Sequence, residues 1–223
     1  MSKITNCLIK KDKTCNPIWF MRQAGRHLPE FRKIRKKNKN FIKLCFNSKL
    51  SSELTLQPMK RYDLDAAIIF SDILTIPYVL GQKINFTKLA GPRLDNFDLT
   101  RFNHNGKNFS LKLKPIYNAI KITRKKLNKK KSLISFIGAP WTLLVYMLNL
   151  KTSQNKLNLK NFNSNKKKIK LLTQKLINFL CTHIEEQHKS GSDIVQIFDS
   201  WAGLIPEKYL KDLSKHMELK YQN

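Results

Sequence analysis

Four short runs of consecutive apolar residues are spaced along the chain, and each is rich in β-branched or aromatic side chains. Because the apolar residues are continuous rather than alternating with polar ones, each run predicts a strand that is buried on both faces. The predicted strands are residues 18–21, 66–70, 133–137 and 194–198.

Longer segments between these runs have helical periodicity. Apolar residues recur at steps of three and four in residues 41–56 and 169–188, and Gly191 marks the end of the second segment. Residues 206–221 also predict a helix. Alternation of strands and helices favours an α/β fold with a parallel sheet. Since the sequence has no internal repeat and no Pro/Gly-rich linker, we expect residues 1–223 to form a single domain.

Polar or glycine-containing sequences follow every predicted strand. They are Arg22-Gln23, Ser71-Asp72, Gly138-Ala139-Pro140 and Asp199-Ser200. In a (β/α)8 TIM barrel the active site lies at the carboxyl ends of several strands, which is the arrangement that this pattern predicts. A doubly wound dinucleotide-binding sheet is disfavoured because the first turn lacks G-x-G-x-x-G. The fold class is therefore predicted to be α/β, of the TIM-barrel family.

The chain is strongly basic, with 43 Lys and Arg against 15 Asp and Glu and a formal net charge of +28. Such a field attracts nucleic acid, but the codon usage of an AT-rich genome, which favours Lys, Asn, Ile and Phe, gives the same composition. We favour codon usage, because the sequence has no zinc-finger spacing, no aromatic RNA-binding motif and no clear helix-turn-helix. The lysines are concentrated in segments such as 121–132 and 163–172, which predict solvated helix faces. Whatever its origin, a positive field also concentrates polyanionic substrates.

Cysteine and histidine spacing indicates neither a disulfide framework nor a metal site. The four cysteines (Cys7, Cys15, Cys45 and Cys181) are scattered without a C-x-x-C pair, so we interpret them as buried or incidental thiols. His183 and His188 are five residues apart rather than one helical turn, and we interpret their segment as a polar helix face. No apolar run is long enough for a membrane span or a secretory signal, so we expect a cytosolic protein.

A short basic segment carries the first chemical motif. Arg22 and Arg26 lie four residues apart around Gly25, and paired guanidinium groups suit a bidentate grip on carboxylates. The pair alone is also compatible with an ordinary basic loop. The longer string PIWFMRQAGRHLPEF at residues 17–31 closely resembles the signature of the uroporphyrinogen decarboxylase family.

Three further segments resemble signatures of the same family. They are residues 56–74 (with RYDLDAAIIFSDIL), residues 138–147 (GAPWTLLVYM) and residues 191–203 (GSDIVQIFDSWAG). All four segments occur in the family's order and at about its spacing, across nearly the whole chain. The sequence is therefore identified as a member of that family.

The resemblance implies a homodimeric, cofactor-free and metal-free enzyme of haem biosynthesis. It would remove the four acetate carboxyl groups of uroporphyrinogen III to give coproporphyrinogen III. Decarboxylation of an acetate on a pyrrole would leave a poor carbanion, so the ring must first be protonated. A general acid must supply that proton, and a further group must stabilise the cationic ring.

The resemblance also implies roles for particular residues. Asp72 would direct its carboxylate at the pyrrole N–H groups, although an aspartate before an apolar stretch is also typical of a helix N-cap. Arg22 and Arg26 would bind substrate carboxylates, and one of them is a candidate for proton delivery despite being a very weak acid. The remaining predicted substrate-binding residues are Gln23, Ala24, Gly25, Phe41, Tyr146 and Ser200. Structural roles remain alternatives for the last three: core packing for Phe41 and Tyr146, and helix capping for Ser200.

The chain departs from the family in two places. Thr152 and Ser153 stand where the family usually has a glycine-rich loop, and the family's last substrate contact, a histidine near the eighth strand, has no counterpart. Four predicted strands make about half of an eight-stranded barrel, so we expect a chain truncated at its C-terminus. Two hypotheses remain: a decarboxylase whose missing half is supplied, or an inactive fragment or pseudoenzyme that binds polyanions without turnover.

Overall fold

Four helices precede the first strand in the computed structural model, which describes residues 2–14, 16–87, 91–97 and 106–207. The helices are α1 (Lys3–Lys10), α2 (Pro29–Lys37), α3 (Phe41–Cys45), α4 (Ser48–Arg61), α5 (Thr75–Val79), α6 (Gly106–Lys126), α7 (Pro140–Met147), α8 (Leu159–Ser164) and α9 (Lys166–Lys189). The strands are β1 (Ala66–Ile68), β2 (Ile84–Thr87), β3 (Gly91–Leu94), β4 (Ser132–Gly138) and β5 (Ile194–Phe198), followed by a 3-10 turn at Ala202–Leu204.

A three-stranded sheet has the order β1-β4-β5. Strand β1 runs parallel to β4, with Ala66 opposite Ser132 and Ile68 opposite Ile134. These strands confirm the predicted positions of residues 66–70, 133–137 and 194–198 within one or two residues at each end. The predicted α/β class with parallel strands is therefore confirmed. Burial is confirmed for β1 and most of β4, but the prediction of a buried strand is wrong for β5, whose side chains are half-buried and whose Ile197 is 38% exposed.

Residues 18–21 do not form a strand, so the first strand prediction is wrong. Ile18 exchanges hydrogen bonds with Asp65 (N–H to Oδ2, 2.8 Å; O from the Asp65 N–H, 2.9 Å), but the next amide in line, that of Phe20, donates instead to Oε1 of Gln23 (2.9 Å). The side chains of Ile18, Phe20 and Met21 are each more than half exposed. Apolar composition suggested a buried strand, whereas a side-chain amide diverts the backbone before pairing can continue.

The helix predicted over residues 41–56 is in fact two helices. The side chain of Asn47 accepts a hydrogen bond from the Leu50 N–H at 3.1 Å, which ends α3 and caps the start of α4. Helix α9 confirms the prediction for residues 169–188, and Gly191 follows it with φ of +106°. A Cβ at Gly191 would lie 3.0 Å from Cγ of Arg124, so a side chain there would be both strained and crowded. The helix predicted at residues 206–221 lies almost wholly outside the described residues.

The chain folds into two compact units. The first comprises Met1–Thr75, Ser110–Phe136 and His183–Gln196, and the second the described parts of residues 76–109, 137–182 and 197–223. In the first unit, side chains along residues 66–70 alternate between two apolar clusters, as a strand requires. Phe70 packs with residues of α2, α3 and α4, whereas Ala67 and Ile69 pack with residues of α6 and β4.

The second unit contains a hairpin that the sequence did not predict. Strands β2 and β3 pair antiparallel with Ile84 opposite Leu94, and Gly91 begins β3 with φ of +71°. The buried amide of Gln82 donates to the backbone oxygens of Asp95 and Met147, both at 2.9 Å. The hairpin is thereby tied to the end of α7.

The described ranges contain three of the four cysteines. Cys7, Cys45 and Cys181 form no disulfide, and Cys45 is fully buried; Cys15 lies outside those ranges. No group of three or more His, Cys, Asp or Glu side chains there could hold a metal ion. None of the helices described has both the length and the apolar character needed to cross a bilayer.

His183 is buried, so interpreting its segment as a polar face is wrong for this residue. The side chains of His183 and Gln187 are almost inaccessible to solvent, and the hydroxyl of Tyr117 on α6 lies 2.9 Å from Nδ1 of His183 on α9. Burial lowers the pKa of His183 to about 3 and raises the pKa of Tyr117. The pair is a neutral hydrogen bond within the first unit.

We predict that Tyr117→Phe lowers the free energy of unfolding by about 1–3 kcal/mol, because Nδ1 of the buried His183 loses a hydrogen bond. Urea unfolding at pH 7 measures this loss. Tyr62→Phe is the control: Tyr62 is about half exposed, and its change should be within about 0.5 kcal/mol. Equal effects of the two substitutions would contradict the prediction.

Candidate active site

The chain leaves the sheet after β1 through two hydroxyl groups of α4. The Phe70 N–H donates to Oγ1 of Thr55 at 2.8 Å, and Oγ of Ser51 donates to the Phe70 oxygen at 2.6 Å. The Thr55 hydroxyl in turn donates to the Ser51 oxygen at 2.7 Å, and both side chains are buried. Because these hydroxyls satisfy the backbone of Phe70, the next residues can turn away from the sheet without buried unpaired groups. Sequence reasoning missed Ser51 and Thr55, whose only signal was a pair of small hydroxyls four residues apart on an otherwise apolar helix face.

Asp72 lies in the turn between β1 and α5. Its Oδ1 accepts the Leu74 N–H at 2.8 Å, and its backbone oxygen accepts the N–H and the hydroxyl of Thr75 at 3.2 and 2.7 Å. The capping geometry considered as the alternative role is therefore present, and it occupies one carboxylate oxygen. In the described part of the chain, Oδ2 accepts no hydrogen bond.

The electrostatic environment of Asp72 is unusual for a carboxylate. Burial raises its pKa to about 6, against the opposing effects of the Leu74 N–H and the positive charge of Arg22. Burial also raises the pKa of Cys45, and the charge of Asp72 adds to that effect. A carboxyl group with a raised pKa at a strand end, close to a guanidinium group, is typical of a catalytic or binding site.

The loop that contains the paired arginines is held by a buried amide. Nε2 of Gln23 donates to the Ala66 oxygen at 3.1 Å, while its Oε1 accepts the Phe20 N–H. Ala24 packs against the apolar cluster of α2, α3 and α4. The side chains of Arg22 and Arg26 are exposed, and within the described residues their guanidinium groups form no hydrogen bond or ion pair.

Gly25 lies at the tightest point of this loop. A Cβ there would lie 3.1 Å from Nδ1 of His27, and the Gly25 oxygen accepts the Leu28 N–H at 3.0 Å. A cleft of about 570 Å³ opens beside the loop. Its lining residues are Phe20, Met21, Arg22, Gln23, His27, Pro58, Tyr62 and Leu64. The walls are mainly apolar with a guanidinium group among them, which suits an apolar ring that carries an anionic arm.

Phe41 is partly buried and packs against the apolar core of the first unit. Its ring meets the ring of Phe70 edge-on at 5.6 Å, and the guanidinium carbon of Arg35 lies 5.5 Å from its centroid. Phe41 therefore supports the strand end that precedes Asp72.

Tyr146 and Ser200 belong to the second unit. Tyr146 lies near the end of α7, and its ring meets the ring of Trp201 at 6.1 Å in an edge-on arrangement. The exposed Ser200 precedes Trp201 in the turn after β5. Oγ1 of Thr142 donates to Oδ1 of Asp199 at 2.6 Å and accepts the Trp201 N–H at 3.0 Å, which fixes this turn.

The predicted site residues thus fall into two groups. In the first unit Asp72 follows the end of β1, Phe41 packs against Phe70 beside it, and the charge of Arg22 acts on Asp72. The loop itself is anchored at the start of β1 through Gln23, and no contact between the described residues joins Arg26 to Asp72. In the second unit the structure gathers Tyr146 and Ser200 around Trp201. Sequence reasoning missed Thr142, Asp199 and Trp201 as supports, although Thr142 lies within the motif at residues 138–147 and the other two lie within the motif at residues 191–203.

A buried carboxyl group that follows a strand of a parallel sheet is the arrangement expected at a strand end in a protein of the α/β barrel class. The family model for uroporphyrinogen decarboxylase (URO-D) matches residues 1–221, and the chain belongs to this family. A likeness to a methyltransferase from Methanosarcina mazei (TM-score 0.61, 20% identity, 83% of this chain and 56% of that one) concerns the fold alone. The predicted TIM-barrel family is thereby confirmed.

Relatives named uroporphyrinogen decarboxylase are similar along nearly the whole chain. That of Rickettsia felis is 43% identical over 216 residues, covering 93% of this chain and 60% of the relative. That of Orientia tsutsugamushi (strain Ikeda) is 45% identical over 216 residues, covering 92% and 60%. That of Rickettsia rickettsii (strain Sheila Smith) is 42% identical over 232 residues, covering 99% and 65%. The chain therefore spans about 60% of the length of these relatives.

We predict that Thr55→Val lowers the free energy of unfolding by about 1–3 kcal/mol, because the buried Phe70 N–H loses its acceptor. Chemical unfolding at pH 7 measures the change. Thr182→Val removes an exposed hydroxyl that donates to the Asn178 oxygen at 3.1 Å, and should change stability by less than about 0.5 kcal/mol. If Thr55→Val changes the free energy of unfolding as little as this control does, the role given to the Thr55 hydroxyl is wrong.

We predict that Asp72→Asn makes the protein more stable at pH 7. A carboxyl group whose folded-state pKa is raised stabilises the fold only while protonated, so its contribution is lost as the pH rises from about 4 through 6. The gain in the free energy of unfolding, relative to the unaltered chain, should be near zero at pH 4 and on the order of 1–3 kcal/mol above pH 6. Unfolding curves across this range measure it.

Asp12→Asn is the matched control, because the hydroxyl and the N–H of Thr14 lower the pKa of that exposed carboxyl. Asp12→Asn should show no gain in the free energy of unfolding, relative to the unaltered chain, as the pH is raised. A loss of stability at pH 7 in Asp72→Asn would show that the carboxylate at position 72 is not destabilised by burial.

Proposed function

We propose that this chain provides the Asp72 and arginine part of a uroporphyrinogen decarboxylase. The supporting observation is the half-buried carboxyl of Asp72, with a pKa raised to about 6, an unoccupied Oδ2 and the charge of Arg22 acting on it. The relatives' names and the family match give the substrate class. The substrate is uroporphyrinogen III, the product is coproporphyrinogen III, and no cofactor is required.

Each decarboxylation needs an electron sink. A proton added to the pyrrole makes the ring cationic, and the bond between the acetate methylene and its carboxyl carbon then breaks. The electron pair of that bond neutralises the ring, and carbon dioxide leaves. The former methylene carbon then takes up a second proton. Loss of the proton that was first added to the ring completes the methyl group. The carboxylate of Asp72 would accept pyrrole N–H groups and stabilise the cationic ring. At pH 7, a pKa of about 6 leaves roughly ten carboxylates for each protonated group.

The other predicted residues would bind or support the substrate. Arg22 and Arg26 would hold substrate carboxylates, because their guanidinium groups are exposed and unpaired within the described residues. Gln23, Ala24, Gly25 and Phe41 would position the loop and the strand end. Tyr146 and Ser200 would donate hydrogen bonds to further carboxylates. As in the expectation from the family, we propose a homodimer of single-domain subunits in the cytosol.

We predict that Arg22→Gln and Arg26→Gln each weaken binding of uroporphyrin, the stable oxidised form of the substrate, by about threefold to thirtyfold. Fluorescence titration of the porphyrin measures the dissociation constants. Arg32→Gln is the control, because Arg32 is an exposed arginine on α2 and its loss changes the net charge equally. If all three variants bind alike, the binding reflects net charge and not the proposed loop.

Turnover separates the two hypotheses that the sequence left open. Uroporphyrinogen consumption is measured for the chain alone and for the chain mixed with the remaining part of a relative. We expect turnover in at least one of these, and its loss in Asp72→Asn. Absence of turnover in both, together with equally tight binding of an unrelated oligonucleotide, would favour a polyanion-binding protein instead.

A further inference from the structure

Residues 151–157 form a closed turn after α7. Lys151 pairs with Leu157 in an antiparallel bridge, and the Thr152 N–H donates to the Lys156 oxygen at 2.8 Å. Asn155 takes the left-handed conformation at the tip, with φ of +58°. The bridge and this hydrogen bond therefore define the turn and fix the backbone of Lys151.

The ammonium group of Lys151 is held against two aromatic rings. Nζ lies 4.6 Å from the ring centroid of Trp201 and 6.0 Å from that of Tyr146, within the range of cation–π attraction. Nζ also donates to Oδ1 of Asn155 at 3.1 Å. No carboxylate of the described residues forms an ion pair with it. Lys151 is half-buried, so this positive charge is ordered rather than freely solvated.

The residues that contribute these two rings are held in place through their backbone. The Trp201 N–H donates to Thr142, and the Trp201 oxygen accepts the indole N–H of Trp141 at 2.8 Å. Tyr146 is on α7, the same helix as Thr142. The ammonium group is consequently positioned relative to Tyr146 and to the turn that carries Ser200.

We propose that Lys151 is a further substrate-binding residue, whose ammonium group binds a carboxylate of the substrate beside Tyr146 and Ser200. This inference rests on the proposed function. An ammonium group has three donors, one of which is used by Asn155, and the two rings restrict its position without neutralising its charge. The proposed substrate has eight carboxylates, any of which is a chemically suitable partner for a fixed ammonium group. Sequence reasoning did not single out Lys151 among the many lysines of this basic chain.

The test compares uroporphyrin binding by variants in the same turn at about 0.1 M salt. Lys151→Met keeps the length and ring contacts of the side chain but removes its charge, and should weaken binding about threefold to tenfold. Lys156→Met removes the same charge from an exposed residue and should change binding less than twofold. Lys151→Arg keeps both the charge and the ring contact, and should bind within about twofold of the unaltered chain.

Salt separates a direct ion pair from a structural effect. At 1 M salt, where the screening length is about 3 Å, the difference between Lys151→Met and Lys156→Met should shrink. If the difference in uroporphyrin affinity between these two variants is as large at 1 M salt as at 0.1 M, Lys151 has a structural role and the inference is overturned. Thermal unfolding checks that each variant folds, and Lys151→Gln replaces Lys151→Met if the latter does not.

The outcomes distinguish this inference from the proposed function. If the Arg22 and Arg26 variants weaken binding but Lys151→Met matches Lys156→Met, only the role of Lys151 is wrong. If the unaltered chain does not bind uroporphyrin, both the inference and the proposed function are wrong.

Discussion

The hydroxyl of Thr55 accepts a hydrogen bond from the Phe70 N–H, and the hydroxyl of Ser51 donates one to the Phe70 oxygen. The candidate site in the first unit depends on these two hydrogen bonds. They end the strand at a defined residue, so that Asp72 follows in a turn whose position is set by helix α4. The ring of Phe70 packs at the same time against Phe31 and Phe41, at 5.9 and 5.6 Å. The result is a carboxyl group beside a dry cluster, and its raised pKa is a direct consequence of that burial.

The large positive charge acts at two levels. Lysines of residues 121–132 and 166–170 are mostly exposed, as the sequence pattern predicted, and they contribute a diffuse field that attracts any polyanion. A few cations are instead fixed by specific partners. Arg124 pairs with Asp193 at 2.8 Å in a structural role, whereas Lys151 is ordered without a carboxylate partner in the described chain. A cation that is held in one position without a carboxylate partner among the described residues, as Lys151 is, can select among polyanions. A diffuse field cannot.

The sequence was informative where a local pattern determines the structure. Continuous β-branched runs at residues 66–70 and 133–137 have few alternatives to a buried strand, and Gly191 has the positive φ expected after a helix. Residues 18–21 have the same composition, but their pairing depends on the side chain of Gln23, which no periodicity reveals. The family motifs located Asp72 and the arginine loop. They could not locate Thr55, His183 or Lys151, whose contacts are with Phe70, Tyr117 and Trp201, residues that lie 15 to 66 positions away in the sequence.

The most direct measurement is the pH titration of the Asp72 carboxyl carbon by NMR in the intact chain, with Asp72→Asn used to assign the signal. The account predicts a midpoint near 6, because burial outweighs the Leu74 N–H and the charge of Arg22. A midpoint at or below the ordinary value of 3.8 would contradict it. Asp72 would then be a solvated helix cap, and the argument that places catalysis at the end of β1 would lose its physical basis.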